Sequence, residues 1–313
     1  NTFATLKVGM VRYGLMLRED GYIYDDGVVG RLAEDRFHVT TTSGGAPRVY
    51  RMMEDYLQTE FPHLDVWLTS TTEQWSVIAL NGPNARKLIE PFVEGIGLSK
   101  EAFPHMAVRE GKICGVPTRL FRVSFSGELG FEINVPSHYG RAVWETLFEA
   151  GQQYDICPYG TETMHVLRAE KGFIIVGQDT DGTVTPHDAG MSWAVSKKKK
   201  DFVGKRSLAR TDLVADGRKH LVGLLTEDPN IVLEEGAQIV ADPNQPIPMD
   251  MLGHVTSSYW SEALGRSVAM ALVRDGFNLT DQTLHIPMPG QNHKAVVTKP
   301  MFYDPKGERL NVV

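Results

Sequence analysis

The sequence predicts an α+β chain in two parts, a mixed sheet-and-helix domain over residues 1–204 and a small all-β barrel or jelly roll over residues 205–313. Three observations lead there. With 313 residues, 42% hydrophobic and 23% charged, the chain can build two separate cores. Before Lys205, strand and helix patterns alternate without the regular rhythm of a doubly wound parallel sheet. Beyond it, short apolar runs follow one another between turn residues, which places the boundary near Phe202 to Ser207.

Taken in order, Met10 to Leu17 and Tyr22 to Val29 pair as a hairpin about Glu19-Asp20-Gly21, and Arg36 to Thr42 adds a strand. Ser43-Gly44-Gly45 precedes a helix whose Val49, Met52, Met53, Tyr56 and Leu57 recur at helical spacing and which ends before Pro62. Val66 to Thr69 and Trp75 to Leu80 read as strands, and Asn81-Gly82-Pro83 opens a short helix through Ile89. Gly115 to Phe125 and Leu129 to Val135 are the next strands. Ser137 caps a helix carrying Val143 and Leu147, and Thr161 caps another carrying Met164, Leu167 and Ala169. The predicted barrel strands are Leu221 to Leu225, Ala237 to Ala241, Gly253 to Ser257, Ser267 to Leu272, Thr283 to Ile286 and His293 to Thr298.

Composition excludes several classes. A net charge of -7 argues against a general nucleic-acid binder, and no apolar run approaches the length needed to cross a bilayer. Two cysteines, Cys114 and Cys157, without CxxC spacing fit reduced thiols in a cytoplasmic protein, with a single disulfide as the alternative. No signal peptide opens the chain. The absence of an initiator Met before patterned sequence suggests a segment of something longer. Zinc spacings, dinucleotide and P-loop glycine patterns and the G-x-S-x-G elbow are absent, and Gly177 to Thr183 lacks the later ligands of a calcium loop.

What remains is acidic. Asp25-Asp26 interrupts a strand whose period of two sends neighbours to opposite faces, so one carboxylate turns inward unless both cap the hairpin in solvent. Glu132 lies inside the apolar run Phe131 to Val135 and either faces water or lines the same cavity. A carboxylate inside a cavity takes a ligand with two parallel N–H donors, such as the aminopyrimidine edge of a pterin.

The runs Tyr13-Gly14-Leu15-Met16-Leu17-Arg18-Glu19-Asp20-Gly21, Ser126-Gly127-Glu128-Leu129-Gly130-Phe131-Glu132 and Leu167-Arg168-Ala169-Glu170-Lys171-Gly172 resemble the folate-binding aminomethyltransferase family, typified by the glycine-cleavage T-protein. Gly177 to Pro186 and Phe302-Tyr303-Asp304-Pro305 are similar to the branch formed by the carboxy-terminal half of the sarcosine oxidase alpha subunit. The resemblance implies tetrahydrofolate as cofactor. It also implies capture of the iminium or formaldehyde of sarcosine oxidation as 5,10-methylenetetrahydrofolate. Partner subunits, flavins and NAD belong outside these residues. A stand-alone aminomethyltransferase, a demethylase and a non-catalytic folate-holding module are the alternatives. Residue by residue, it implies Asp26 as the catalytic aspartate, with Glu132 holding the pterin, Tyr13 lining the cavity and Trp193 among the cofactor-binding positions. Phe125 stands where the family has a tyrosine, and Met164 where it has the arginine for the folate tail. The tail then binds another cation, Arg168 or the run Lys197 to Lys200, or binds more weakly.

Overall fold

The computed structural model describes residues 1–311 and forms two compact units. The first comprises residues 1–14 and 25–158 with the stretch from Glu308, and the second comprises residues 15–24 and 159–307. The fold is α+β, ending in a closed barrel.

β1 (Val11–Leu17), β2 (Ile23–Arg31) and β3 (Phe37–Val39) form a sheet in that order, followed by α1 (Ala46–Thr59). β4 (Trp75–Asn81), α2 (Ala85–Ile89), β5 (Val93–Glu94), β6 (Val108–Ile113), β7 (Val116–Phe121), β8 (Gly130–Pro136) and α3 (Gly140–Gly151) complete the first unit. Its larger sheet is antiparallel in the order β4-β8-β7-β6-β5. Alternation along β8 decides its two faces. Phe131, Ile133 and Val135 enter a core with Leu88, Ile89, Val143 and Leu147 of the helices, which leaves Glu132 and Asn134 for the opposite face. On that opposite face Phe121, the register partner of Glu132, packs with Val11, Val28, Val108 and Val123.

Several local expectations change. Val66 to Thr69 is not a strand, and Trp67 is 90% exposed, because no neighbouring strand accepts its backbone. β6, which reads Val-Arg-Glu-Gly-Lys-Ile, escapes pattern reading because charges and a glycine interrupt it, yet it pairs along its whole length with β7. β7 itself stops at Phe121 rather than Phe125. Neither Ser137 nor Thr161 caps by its side chain: α3 begins at Gly140 after a 3-10 turn, and Gly160 is the N-cap of α4 (Thr161–Glu170).

In the second unit, β9 (Lys219–Thr226), β10 (Gln238–Val240), β11 (Met251–Ser261), β12 (Arg266–Arg274), β13 (Thr283–Met288) and β14 (Gln291–Thr298) close into a barrel in the order β10-β11-β12-β9-β14-β13. Each contains or overlaps one of the six short runs predicted from sequence. β12 is apolar on both faces for a reason visible in its neighbours. Ala269, Ala271 and Val273 join one apolar cluster with Leu224, Val255 and Ile286, whereas Met270 and Leu272 join a second with Ala169 of α4 and Leu17. Cys114 and Cys157 are both free thiols.

Candidate active site

The first unit brings Tyr13, Asp26 and Glu132 to facing sheets. Asp26, Val28 and Gly30 share one face of β2 by the period of two, and Tyr13 shares the corresponding face of β1 with Val11. That face lies against the larger sheet, since Val11 and Val28 pack with Phe121 and a methyl group on Gly30 would come within 2.9 Å of the Phe121 ring. Glu132 is directly opposite Phe121 in register, and cross-strand partners project to the same side. Asp26 and Glu132 therefore project into the same interior layer from opposite walls.

The tyrosine hydroxyl of Tyr13 donates to Asp26 Oδ2 at 2.6 Å. Burial, opposed by this hydrogen bond and reinforced by the negative charge of Asp25, pushes the Asp26 carboxyl up to about 6. Burial, with Asp26 beside it, also raises the Tyr13 phenol far above its ordinary range, so it stays a donor. A carboxyl near 6 exchanges its proton close to neutral pH, which suits general acid–base work.

Asp25, pointing to the other face of β2, is wholly buried and anchors the loop that leads into α1. Its Oδ1 accepts from the backbone N–H groups of Asp26 and Thr42, both at 2.9 Å. Its Oδ2 accepts from Thr42 Oγ1 and from Arg48, both at 3.0 Å. Gly45 is required here because any Cβ would overlap Asp25 Oδ2. The strand period implies one inward acid but none of these supports. The glycine pair before the helix was the available signal, since close backbone approach is what glycine permits.

Glu132 differs from both aspartates in having no partner for its carboxylate among the described residues, and burial alone raises its pKa. Phe125 is half-buried in the loop between β7 and β8. An aromatic ring there offers a stacking surface without a hydroxyl.

Arg168 and Trp193 belong to the second unit. Arg168 is fully buried, paired with Asp179 and donating to Ser257 Oγ at 2.6 Å and to the Phe173 carbonyl at 3.1 Å. Asp179 in turn accepts from Thr256 at 2.6 Å and Ser257 at 2.8 Å. Arg168 is thus engaged in an internal ion pair. Trp193 is 66% exposed, and Lys197, Lys198 and Lys200 are exposed.

A family model described as the GCVT N-terminal domain matches residues 1–199, and one described as the glycine cleavage T-protein C-terminal barrel domain matches residues 219–304. The chain belongs to the glycine cleavage T-protein family. Among relatives in and beyond that family, it is 51% identical over 99% of its length to the sarcosine oxidase subunit alpha of Corynebacterium sp. strain P-1, of which it spans 32%. It is 30% identical to an aminomethyltransferase of Corynebacterium aurimucosum, covering 97% of this chain and 79% of that one. Among solved T-protein structures, the glycine cleavage system aminomethyltransferase T of Bartonella henselae superposes with a TM-score of 0.81 over 96% of this chain and 78% of its own, at 24% identity, a likeness of fold.

Proposed function

We propose that this chain is the tetrahydrofolate-dependent one-carbon transfer region of a sarcosine oxidase alpha subunit, with Asp26 as catalytic acid–base and Glu132 as the pterin-holding carboxylate. The observation that carries this reading is Glu132: a carboxylate on an interior face, raised by burial and without a hydrogen-bond partner among the described residues. Such a group is disfavoured unless a ligand supplies donors, and two parallel N–H groups of an aminopyrimidine match its two oxygens. Bound tetrahydrofolate would supply two nitrogen nucleophiles for a carbon at the oxidation level of formaldehyde.

The chain's own residues would do the rest. Glu132 orients the ring, and the apolar layer around Phe121 excludes water. Asp26 holds or takes a proton at Oδ1 while Tyr13 occupies Oδ2, and its charge faces positive charge developing on the reacting nitrogen or carbon. The high identity to a sarcosine oxidase subunit favours the one-carbon unit released on sarcosine oxidation as the donor. The flavins, NAD and other subunits of such a complex would lie outside these residues, and a cytoplasmic setting accords with this role. Among the described residues no helix is long and apolar enough to cross a membrane.

Calorimetric titration with tetrahydrofolate tests the assignment. Glu132→Gln keeps the shape and removes the anionic acceptor, so affinity should fall by about tenfold or more, the loss of one charge-assisted hydrogen bond. Unchanged affinity in this variant would remove Glu132 from the site.

A further inference from the structure

Glu132 sits on the last rung that joins β7 to β8. The two strands pair Arg119 with Asn134, Leu120 with Ile133 and Phe121 with Glu132, and before that rung β8 is paired to β4 alone, as far back as Gly130. The connection between β7 and β8, residues 122–129, carries Phe125 and contains neither strand nor helix.

Side chains take over where the ladder stops. Arg122 is only 1% exposed, and its backbone is fixed by its N–H to the Ala107 carbonyl at 2.8 Å and by the Met106 N–H to its own carbonyl at 2.9 Å. From that fixed point its guanidinium donates to the Gly130 carbonyl at 3.4 Å and to the Leu310 carbonyl at 2.7 Å, and lies over the Phe131 ring at 5.3 Å from the centroid. Arg122 forms no ion pair among the described residues, so the nearer carbonyl, that of Leu310, is the stronger answer to its buried charge. Leu310 belongs to a 3-10 turn, Glu308–Asn311, which lies in the same compact unit although the barrel separates the two in sequence. The preceding residue of that turn, Arg309, donates from Nε to Glu128 Oε1 at 2.5 Å, and the Glu128 side chain is 19% exposed. One turn therefore holds the approach to β8 directly at Glu128 and through Arg122 at Gly130 and Phe131.

We propose that the turn Glu308–Asn311 is a positioning element for Glu132, with Arg309 acting through Glu128 and the Leu310 carbonyl acting through Arg122. Phe131 and Glu132 project to opposite faces of β8, so a brace on Phe131 and Gly130 fixes the rotation of the strand that aims Glu132 into the interior layer. An ion pair as exposed as that of Arg309 is worth little by itself. It matters here because no β7 ladder holds the segment it ties down. The proposal rests on Glu132 as the ligand-holding carboxylate.

Charge reversal tests it. Arg309→Glu and Glu128→Arg each set like charges face to face, and the double variant restores the pair in the opposite sense. In each single variant, amide hydrogen exchange over residues 128–132 should quicken by about threefold or more while that of α3 stays as in wild type. The Glu132 carboxyl, which burial raises, should titrate closer to its ordinary value in a carbon-13 NMR titration, and tetrahydrofolate should bind about threefold or more weakly by calorimetry. All three readings should return towards wild type in the double variant. Deleting Glu308–Asn311 removes the Leu310 carbonyl as well, and the loss of affinity should grow to about tenfold or more. Single variants with wild-type exchange and a wild-type Glu132 titration, or a double variant that restores neither, would overturn the proposal. If exchange and titration respond as stated while wild type itself binds no tetrahydrofolate, the positioning of Glu132 stands and the assignment of its ligand fails.

Discussion

Replacing Asp26 by Asn should make the protein more stable at neutral pH while stopping its chemistry. The carboxyl has an ordinary value of 3.8 and rises to about 6 in the folded chain, chiefly through burial. A group whose folded value is raised favours folding below its unfolded value and loses that advantage as pH climbs through the folded one. The penalty therefore develops between pH 3.8 and about 6 and is complete above it. At about 1.36 kcal/mol per tenfold change in the proton equilibrium, its full size is about 3 kcal/mol. Asn removes the charge but keeps an oxygen for the Tyr13 hydroxyl, which now donates to Oδ2 at 2.6 Å. Denaturant unfolding should show Asp26→Asn more stable by about 3 kcal/mol near pH 7.5, shrinking to about 1 kcal/mol near pH 4.5. The same variant in the complete enzyme should lose about 10²- to 10⁴-fold in folate-dependent product formation, the range for general acid–base help. A gain that is the same at both pH values, or a loss of stability near neutrality, would refute the account of a desolvated acid facing the interior layer.

Tyr13→Phe removes a hydrogen bond that holds the Asp26 value down, so Asp26 should titrate above about 6. The acid limb of the pH–rate profile should move to higher pH, with a stability loss of about 2 kcal/mol by thermal unfolding. Arg168→Met leaves Asp179 buried and unpaired, and calorimetry should find a destabilisation of about 3–5 kcal/mol. Weakened folate-tail binding with an unchanged melting temperature would instead return Arg168 to the ligand. Gly45→Ala drives a methyl into Asp25 Oδ2 and should cost about 3 kcal/mol by denaturant unfolding, with activity falling as the β2 acids shift.

The barrel could be read from the chain because its strands bury one face in the barrel interior and, in β12, the other face in a second apolar cluster, and such burial leaves a pattern of short apolar runs between turns. β6 could not, since a strand held mainly by backbone pairing to β7 needs little apolar pattern of its own. The acidic pair and Glu132 stood out because charge inside strand-like sequence conflicts with burial, and that conflict is local.

Which acid is anchored and which is raised by burial depends on distant neighbours. Adjacent aspartates are equivalent in sequence, yet one face of β2 meets Thr42, Arg48 and Gly45 while the other meets Tyr13 and, across the layer, the wall carrying Glu132. The sequence by itself placed Asp25-Asp26 and Glu132 within strand-like runs and left open whether each faced water or the interior. Tertiary structure decided that Asp25 is anchored, that Asp26 is left with a proton to exchange, and that Arg168 is spent on Asp179, because desolvation and partner choice depend on residues far apart in the chain.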